Sequence, residues 1–354
     1  MNKVATVERL IAKHRALDIA LRNDRDSFLS DWNATHPFVD EFLGPALADV
    51  EPRSSAGDYI YLDERPAIIQ ALLDLHEKLE SLSLDATNVL AGPGSSSILA
   101  AFALWLAQRG SRQIYYIPPL YHTLHFFLAM LNITAIPISR KQVFETGFDM
   151  NLPTESTILL LCDPIWYAGK RVPFETIAAI SLWQEQTDSL VFVDGSFQYL
   201  QWYGTRAEHT SMLNTERTFR LVCPTKSLGV HSFRFSYLLH PGRFHEELVF
   251  LYESLVGSVS VGNLTFARRA LHVLSSDRTN RSLTDFLKTT YQELLERGYL
   301  RTQITPDCGY YVFAIPTVEV DRQIAMGEEY FELTGYAGHV RINLMVARRI
   351  YLGS

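Results

Sequence analysis

The chain has 354 residues, 47% of them hydrophobic and 20% charged, and 32 Lys and Arg against 39 Asp and Glu give a formal net charge of −7. That is the make-up of a globular protein with one large domain and a smaller one, or two comparable ones; it offers neither the clustered basic surface that nucleic acid requires nor an apolar run approaching the ~20 residues of a membrane span. Cys162, Cys223 and Cys308 are far apart, form no CxxC pair and have no metal-ligand spacing, so no metal is expected, and a reducing, cytoplasmic setting is.

In chain order, Val4, Val7, Leu10, Ile11, His14, Leu17 and Leu21 recur at three and four, which predicts an amphipathic helix over 4–30. Such a helix either packs on the body or forms a lid or dimer arm; periodicity does not separate the two. Its charged beginning reads as neither signal peptide nor anchor. A turn-rich connector, Trp32 to Phe38, follows, and then a helix over 64–82 with Ile68, Leu72, Leu75 and Leu79 on one side. From residue 88 short apolar runs alternate with helices. Strands are predicted at Asn88–Ala91, Ile114–Ile117, Thr134–Ile138, Ser156–Leu161, Leu190–Val193, Phe219–Val222 and Phe235–Leu239. Helices are predicted from Ile98 to Gln108, around 123–131 and at 174–187.

Continuous apolar strands separated by helices indicate a mostly parallel α/β sheet covered on both faces. In such sheets ligands bind at the strands' carboxyl ends. The Gly94–Ser97 turn, Tyr121, Asp163, Asp194 and Lys226 all follow strands in that sense and should share one edge. From 243 the pattern becomes helical over 243–275 and 281–298, with late strands at Tyr310–Ala314 and His339–Leu344. We divide the chain into an N-terminal helix or arm (1–45), a large domain (46–242) and a small α+β domain (243–354).

The stretch Val222-Cys223-Pro224-Thr225-Lys226-Ser227 sets a lysine among small residues just after an apolar strand; Arg234 comes eight positions later, and Asp194 ends the preceding strand. Pyridoxal 5′-phosphate needs these three groups: an amine to form an imine, a carboxylate for its ring nitrogen and a cation for its phosphate. The turn Gly94-Ser95-Ser96-Ser97 opens a helix, where backbone N–H groups and hydroxyls can cradle a phosphate.

In the order and spacing of these parts the chain resembles a fold-type I pyridoxal-phosphate enzyme of the class I/II aminotransferase superfamily, over residues 30–350. The resemblance implies a seven-stranded, mostly parallel sheet between helices plus a small α+β domain. It implies an amino-acid substrate reacting through an external aldimine, most simply in transamination. By position, Lys226 anchors the cofactor and moves the α-proton, and Asp194 holds the ring nitrogen. Gly94, Ser95, Ser96 and Arg234 bind phosphate, Tyr121 lies on the ring, and Ser196 reaches ring or phosphate. Arg341, in Val340-Arg341-Ile342-Asn343, binds the substrate α-carboxylate, with the loop Asn33–Pro37 over it. Tyr61, or else Tyr59, reaches the neighbouring subunit's phosphate in a homodimer. If the N-terminal helix is a lid, Glu8, His14 and Asp18 are candidates to meet the substrate side chain.

The sequence departs from the family at one atom. The asparagine and tyrosine that usually donate to the cofactor's phenolic oxygen are replaced by Trp166, 28 residues before Asp194, and Phe197, three after it. Tyr167, Tyr199, His122 or His231 could supply a donor instead. Cys223 stands where the family usually has a serine. The run Asp194-Gly195-Ser196-Phe197 is also similar to pyridoxal enzymes acting on arginine in specialised metabolism. It gives an alternative: a cyclase, oxidase or lyase that needs no 2-oxo acid.

Overall fold

A computed structural model describes residues 12–13, 15–17, 19–20, 22, 29–31, 38–39, 66–257, 260–318 and 325–353. Helix α1 (Pro66–Glu80) buries Ile68, Leu72 and Leu75, as their three- and four-residue spacing predicts. Seven strands follow: β1 (Val89–Gly92), β2 (Gln113–Tyr116), β3 (Thr134–Pro137), β4 (Ile158–Cys162), β5 (Leu190–Gly195), β6 (Thr218–Val222) and β7 (Ser236–Leu239). They form one sheet in the order β1-β7-β6-β5-β4-β2-β3. The pairs β2/β3, β2/β4, β4/β5 and β5/β6 are parallel, whereas β7 runs antiparallel to both β6 and β1. A hydrophobic run carries no direction, so the reversal of β7 was not predictable from its residues.

Both faces of the sheet are covered, which is why its strands read as unbroken apolar runs. On one face α2 (Ser95–Gln108) lays Phe102 and Trp105 against Phe192 of β5 and Phe219 of β6. Phe192 is fully buried, and truncating such a ring to alanine costs about 3–5 kcal/mol. The other face shares a core with the C-terminal part of the chain, where Leu161 and Val193 belong to the same cluster as Val312, Phe313 and Ile342. The remaining helices of the sheet region are α3 (His122–Met130), α4 (Phe174–Thr187) and the single turn α5 (Pro224–Ser227).

After β7 the predicted helix over 243–275 is two helices, α6 (His245–Val256) and α7 (Val261–Ser275), parted at Gly257, whose φ of 69° favours glycine. Then come α8 (Asp277–Glu296) and a three-stranded antiparallel sheet of β8 (Leu300–Arg301), β9 (Tyr311–Pro316) and β10 (Val340–Asn343), with β9 central. The strand expected to run through Leu344 stops one residue earlier. Asn343 accepts a hydrogen bond from the Met345 N–H and caps α9 (Leu344–Leu352), a helix the strand-like pattern concealed. Residues 29–31 are tied to β10: Asn343 N–H donates to the Leu29 carbonyl and Ser30 Oγ to that of Arg341. Among the described residues no helix is long and apolar enough to cross a membrane.

Candidate active site

The carboxyl ends of β1, β2, β4, β5 and β6 lie along one edge, and the reversed β7 begins there. Gly94, Tyr121, Asp194 and Lys226 therefore sit along it, joined by Arg234, two residues before β7. Asp163 is at the edge but turns under it. Its Oδ1 accepts the Val172 N–H at 2.8 Å, and burial raises its carboxyl to about 6. Its side chain is engaged in that turn, and its N–H donates to the Asp194 carbonyl at 3.1 Å.

At one end of the site, Gly94 caps α2 with φ 113°. A Cβ on Gly94 would lie 2.6 Å from Nη2 of Arg234, so only glycine lets that guanidinium come up to the helix start. Ser97 donates to the Gly94 carbonyl at 2.8 Å, Ser95 is buried and Ser96 exposed. Arg234 has no acidic partner within ion-pair distance among the described residues. An unpaired guanidinium beside free helix N–H groups is a receptor for an oxyanion.

Asp194 is buried at the end of β5. Its Oδ1 accepts the Ser196 N–H at 3.1 Å and the Ser196 hydroxyl at 2.5 Å. Ser196 is thereby committed to the aspartate. The line continues from Ser196 Oγ to Cys223 Sγ at 3.4 Å and on to Ser236 Oγ at 3.0 Å. Cys223 thus joins the aspartate to the start of β7, a link that appears only once β5, β6 and β7 lie side by side. The three cysteines are buried and free.

Lys226 lies in α5, with its Nζ 5.7 Å from the ring centre of Tyr121 and 4.9 Å from that of Phe197. Among the described residues Nζ has no hydrogen bond or ion pair. Burial opposes its charge, but Cys223, Tyr121 and Asp194 outweigh that penalty and hold the amine above the ordinary lysine value. His231 is driven the other way, to about 3, by burial and by the charges of Lys226 and Arg234. It is neutral, and its Nε2 lies 3.1 Å from the Tyr310 hydroxyl.

At the far end, Arg341 of β10 has its guanidinium carbon 4.5 Å over the Tyr311 ring and 5.2 Å over that of Trp166, and Nη2 donates to the Ser30 carbonyl. Trp166 stacks on Phe197 at 6.3 Å and 20° and meets Tyr121 edge-on at 6.1 Å. The site is thus a chamber walled by aromatic rings, with Lys226 and Arg341 set among them. Tyr310 and Tyr311 are wall residues that sequence reasoning missed, because only the folding of β9 toward the edge brings them there. Asn33, Tyr61 and its alternative Tyr59, and Glu8, His14 and Asp18 lie outside the described residues. Chemically, the arrangement combines an unpartnered amine, an oxyanion receptor, a buried carboxylate and a second guanidinium.

No family model and no curated protein matches the chain. Solved structures do. The chain is similar to a Thermus thermophilus protein described as a probable N-succinyldiaminopimelate aminotransferase (17% identity, TM-score 0.78, 96% of this chain and 99% of that one). It is similar to Escherichia coli YbdL, for which a methionine aminotransferase function is described (14%, 0.72, 94% and 95%), and to the N-succinyldiaminopimelate aminotransferase of Mycobacterium tuberculosis (16%, 0.69, 92% and 92%). At such identities the likeness is one of fold, and the fold is that of the class I aminotransferases, fold type I.

Proposed function

We propose that the chain is a pyridoxal-phosphate-dependent enzyme that acts on the amino group of an amino acid, most simply as an aminotransferase. The observation that carries this is Lys226: a half-buried amine with no polar partner among the described residues, held between Tyr121 and Phe197 with Arg234 and Arg341 in the same site. A lysine kept from ion pairs among aromatic rings is suited to covalent chemistry. The residues fit the cofactor: the Gly94–Arg234 cradle suits its phosphate, Asp194 its ring nitrogen and Tyr121 its flat ring.

When bound, the cofactor supplies an electron sink for negative charge at the substrate α-carbon. The remaining work falls to the chain. Arg341 binds the α-carboxylate through its planar donors and fixes which bond at the α-carbon faces Lys226. Nζ of Lys226 takes the α-proton and returns it. Asp194, oriented by Ser196, keeps a proton on the ring nitrogen. Tyr121, Trp166 and Phe197 exclude water from the reacting atoms. The division at 45 and 242, and a homodimer in which Tyr61 of each copy serves the other's site, belong to the same proposal.

The test is a panel of amino acids added to the holoenzyme, followed by absorbance and mass spectrometry with and without a 2-oxo acid. Transamination requires an amino acid to convert the cofactor to its amine form and an oxo acid to restore it. The Asp194-Gly195-Ser196-Phe197 run favours a second reading, cyclisation, oxidation or elimination on arginine or a related amino acid. Consumption of one amino acid with no oxo acid and no exchange would establish that reading against the first.

A further inference from the structure

Four of the chain's five tryptophans lie among the described residues. Three donate through Nε1: Trp105 to Glu247 at 2.9 Å, Trp183 to the Pro153 carbonyl at 2.6 Å and Trp202 to the Gly309 carbonyl at 2.9 Å. Trp166 is 9% exposed and its Nε1 is buried with no hydrogen-bond partner among the described residues. A buried N–H left unpaired is costly. Proteins keep such a group where a ligand completes it. Trp166 is in such a place: parallel to Phe197, edge-on to Tyr121 and beneath the Arg341 guanidinium.

The group in want of a donor is the cofactor's phenolic oxygen, and the other candidates are engaged. The Tyr167 hydroxyl donates to Gln142 Oε1. Tyr199 Oη accepts from Arg220 at 3.3 Å and lies 3.3 Å from His76 Nδ1. His122 Nδ1 is 3.1 Å from the Tyr330 hydroxyl, and His231 Nε2 is 3.1 Å from that of Tyr310. Phe197 has no donor.

We propose that the Trp166 indole N–H is the donor to the phenolic oxygen of bound pyridoxal phosphate, a positioning role that rests on the function proposed above. An indole N–H only donates, so it stabilises that oxygen when it is negative. The stack on Phe197 holds the indole plane.

The test reads the holoenzyme's cofactor absorbance against pH with no amino acid present. Trp166→Phe should raise the midpoint by about one pH unit, the worth of one hydrogen bond to a charged acceptor. Trp166→Gln, which restores an N–H, should bring it most of the way back. A Trp166→Phe midpoint equal to that of the unsubstituted protein overturns the proposal. Weaker amino-acid binding with an unmoved midpoint also overturns it, and assigns the N–H to the α-carboxylate. A readout that needs no variant is 15N-labelled tryptophan in the unsubstituted protein. Cofactor should move one indole N–H proton downfield, and no such movement overturns the proposal. Failure of the protein to show any cofactor band sinks the function itself, whereas an unmoved midpoint on a normal band sinks only the assignment of Trp166.

Discussion

Strand β6 carries one cation, the buried Arg220, and delivers another, the half-buried Lys226, just past its end. Arg220 is paired with an anion: Nη1 donates to Glu80 Oε1 at 3.0 Å, and Nη2 to Glu80 Oε2 and to Tyr199 Oη at 3.3 Å, with His76 Nδ1 at 2.9 Å. His76 in turn reaches the Tyr237 hydroxyl at 2.8 Å. Lys226 has rings for neighbours and no polar partner among the described residues. A buried charge paired with a buried carboxylate is an internal tie between α1, β6 and β7. A half-buried amine whose donors are unused is held for something that arrives.

That contrast is broken or sharpened most strongly by exchanging which property each substitution costs. Lys226→Ala should lower turnover by at least about a thousandfold, while urea denaturation of the cofactor-free protein moves little because no hydrogen bond is lost. Glu80→Gln should do the reverse. It leaves Arg220 buried without its anion and costs about 3–5 kcal/mol in the same denaturation experiment, with turnover per folded molecule largely kept. If Lys226→Ala proved the destabilising change and Glu80→Gln the inactivating one, the two roles would have been assigned the wrong way round.

A smaller effect tests the tie through pH. Burial opposes ionisation of Glu80, but the Arg220 charge and the hydrogen bond from His76 bring its carboxyl to about 2, below the ordinary 4.5. A depressed acid stabilises the fold fully above its unfolded value. That stability, about 3 kcal/mol for a shift of this size, should be lost as pH falls from about 4.5 toward 2. Denaturation of the unsubstituted protein and of Glu80→Gln across that window should converge at its acid end. At the site, Arg341→Ala should raise KM for the amino acid by about 10- to 100-fold, the loss of a charged bidentate contact, measured by steady-state kinetics. Arg234→Ala should weaken cofactor binding by about tenfold or more, read by absorbance titration.

Much of the site was legible because its parts lie at strand ends in chain order. Asp194 lies at the end of β5, Lys226 follows β6 and Arg234 precedes β7, and these strands are neighbours in the sheet, so the spacing of the three residues already reflected their adjacency. The wall of the chamber was not legible. Tyr310 meets His231 across 79 residues of chain, and Tyr311 meets Arg341 only because β9 and β10 pair. Nor could letters show that Ser196 is bonded to Asp194 or that Cys223 bridges to Ser236, since both depend on side-chain directions set by the pleat. The fold was read well where periodicity was strong, as in α1. It was misread where one residue decided the outcome: Gly257 parting two helices, and Asn343 ending a strand by capping α9.

The central claim is that Lys226 binds the cofactor covalently. Holoenzyme treated with borohydride, digested and analysed by mass spectrometry should carry the reduced pyridoxyl phosphate mass on the peptide containing Lys226, and the unreduced protein should absorb near roughly 400 nm. Absence of that mass, or its appearance on another lysine, would contradict the account.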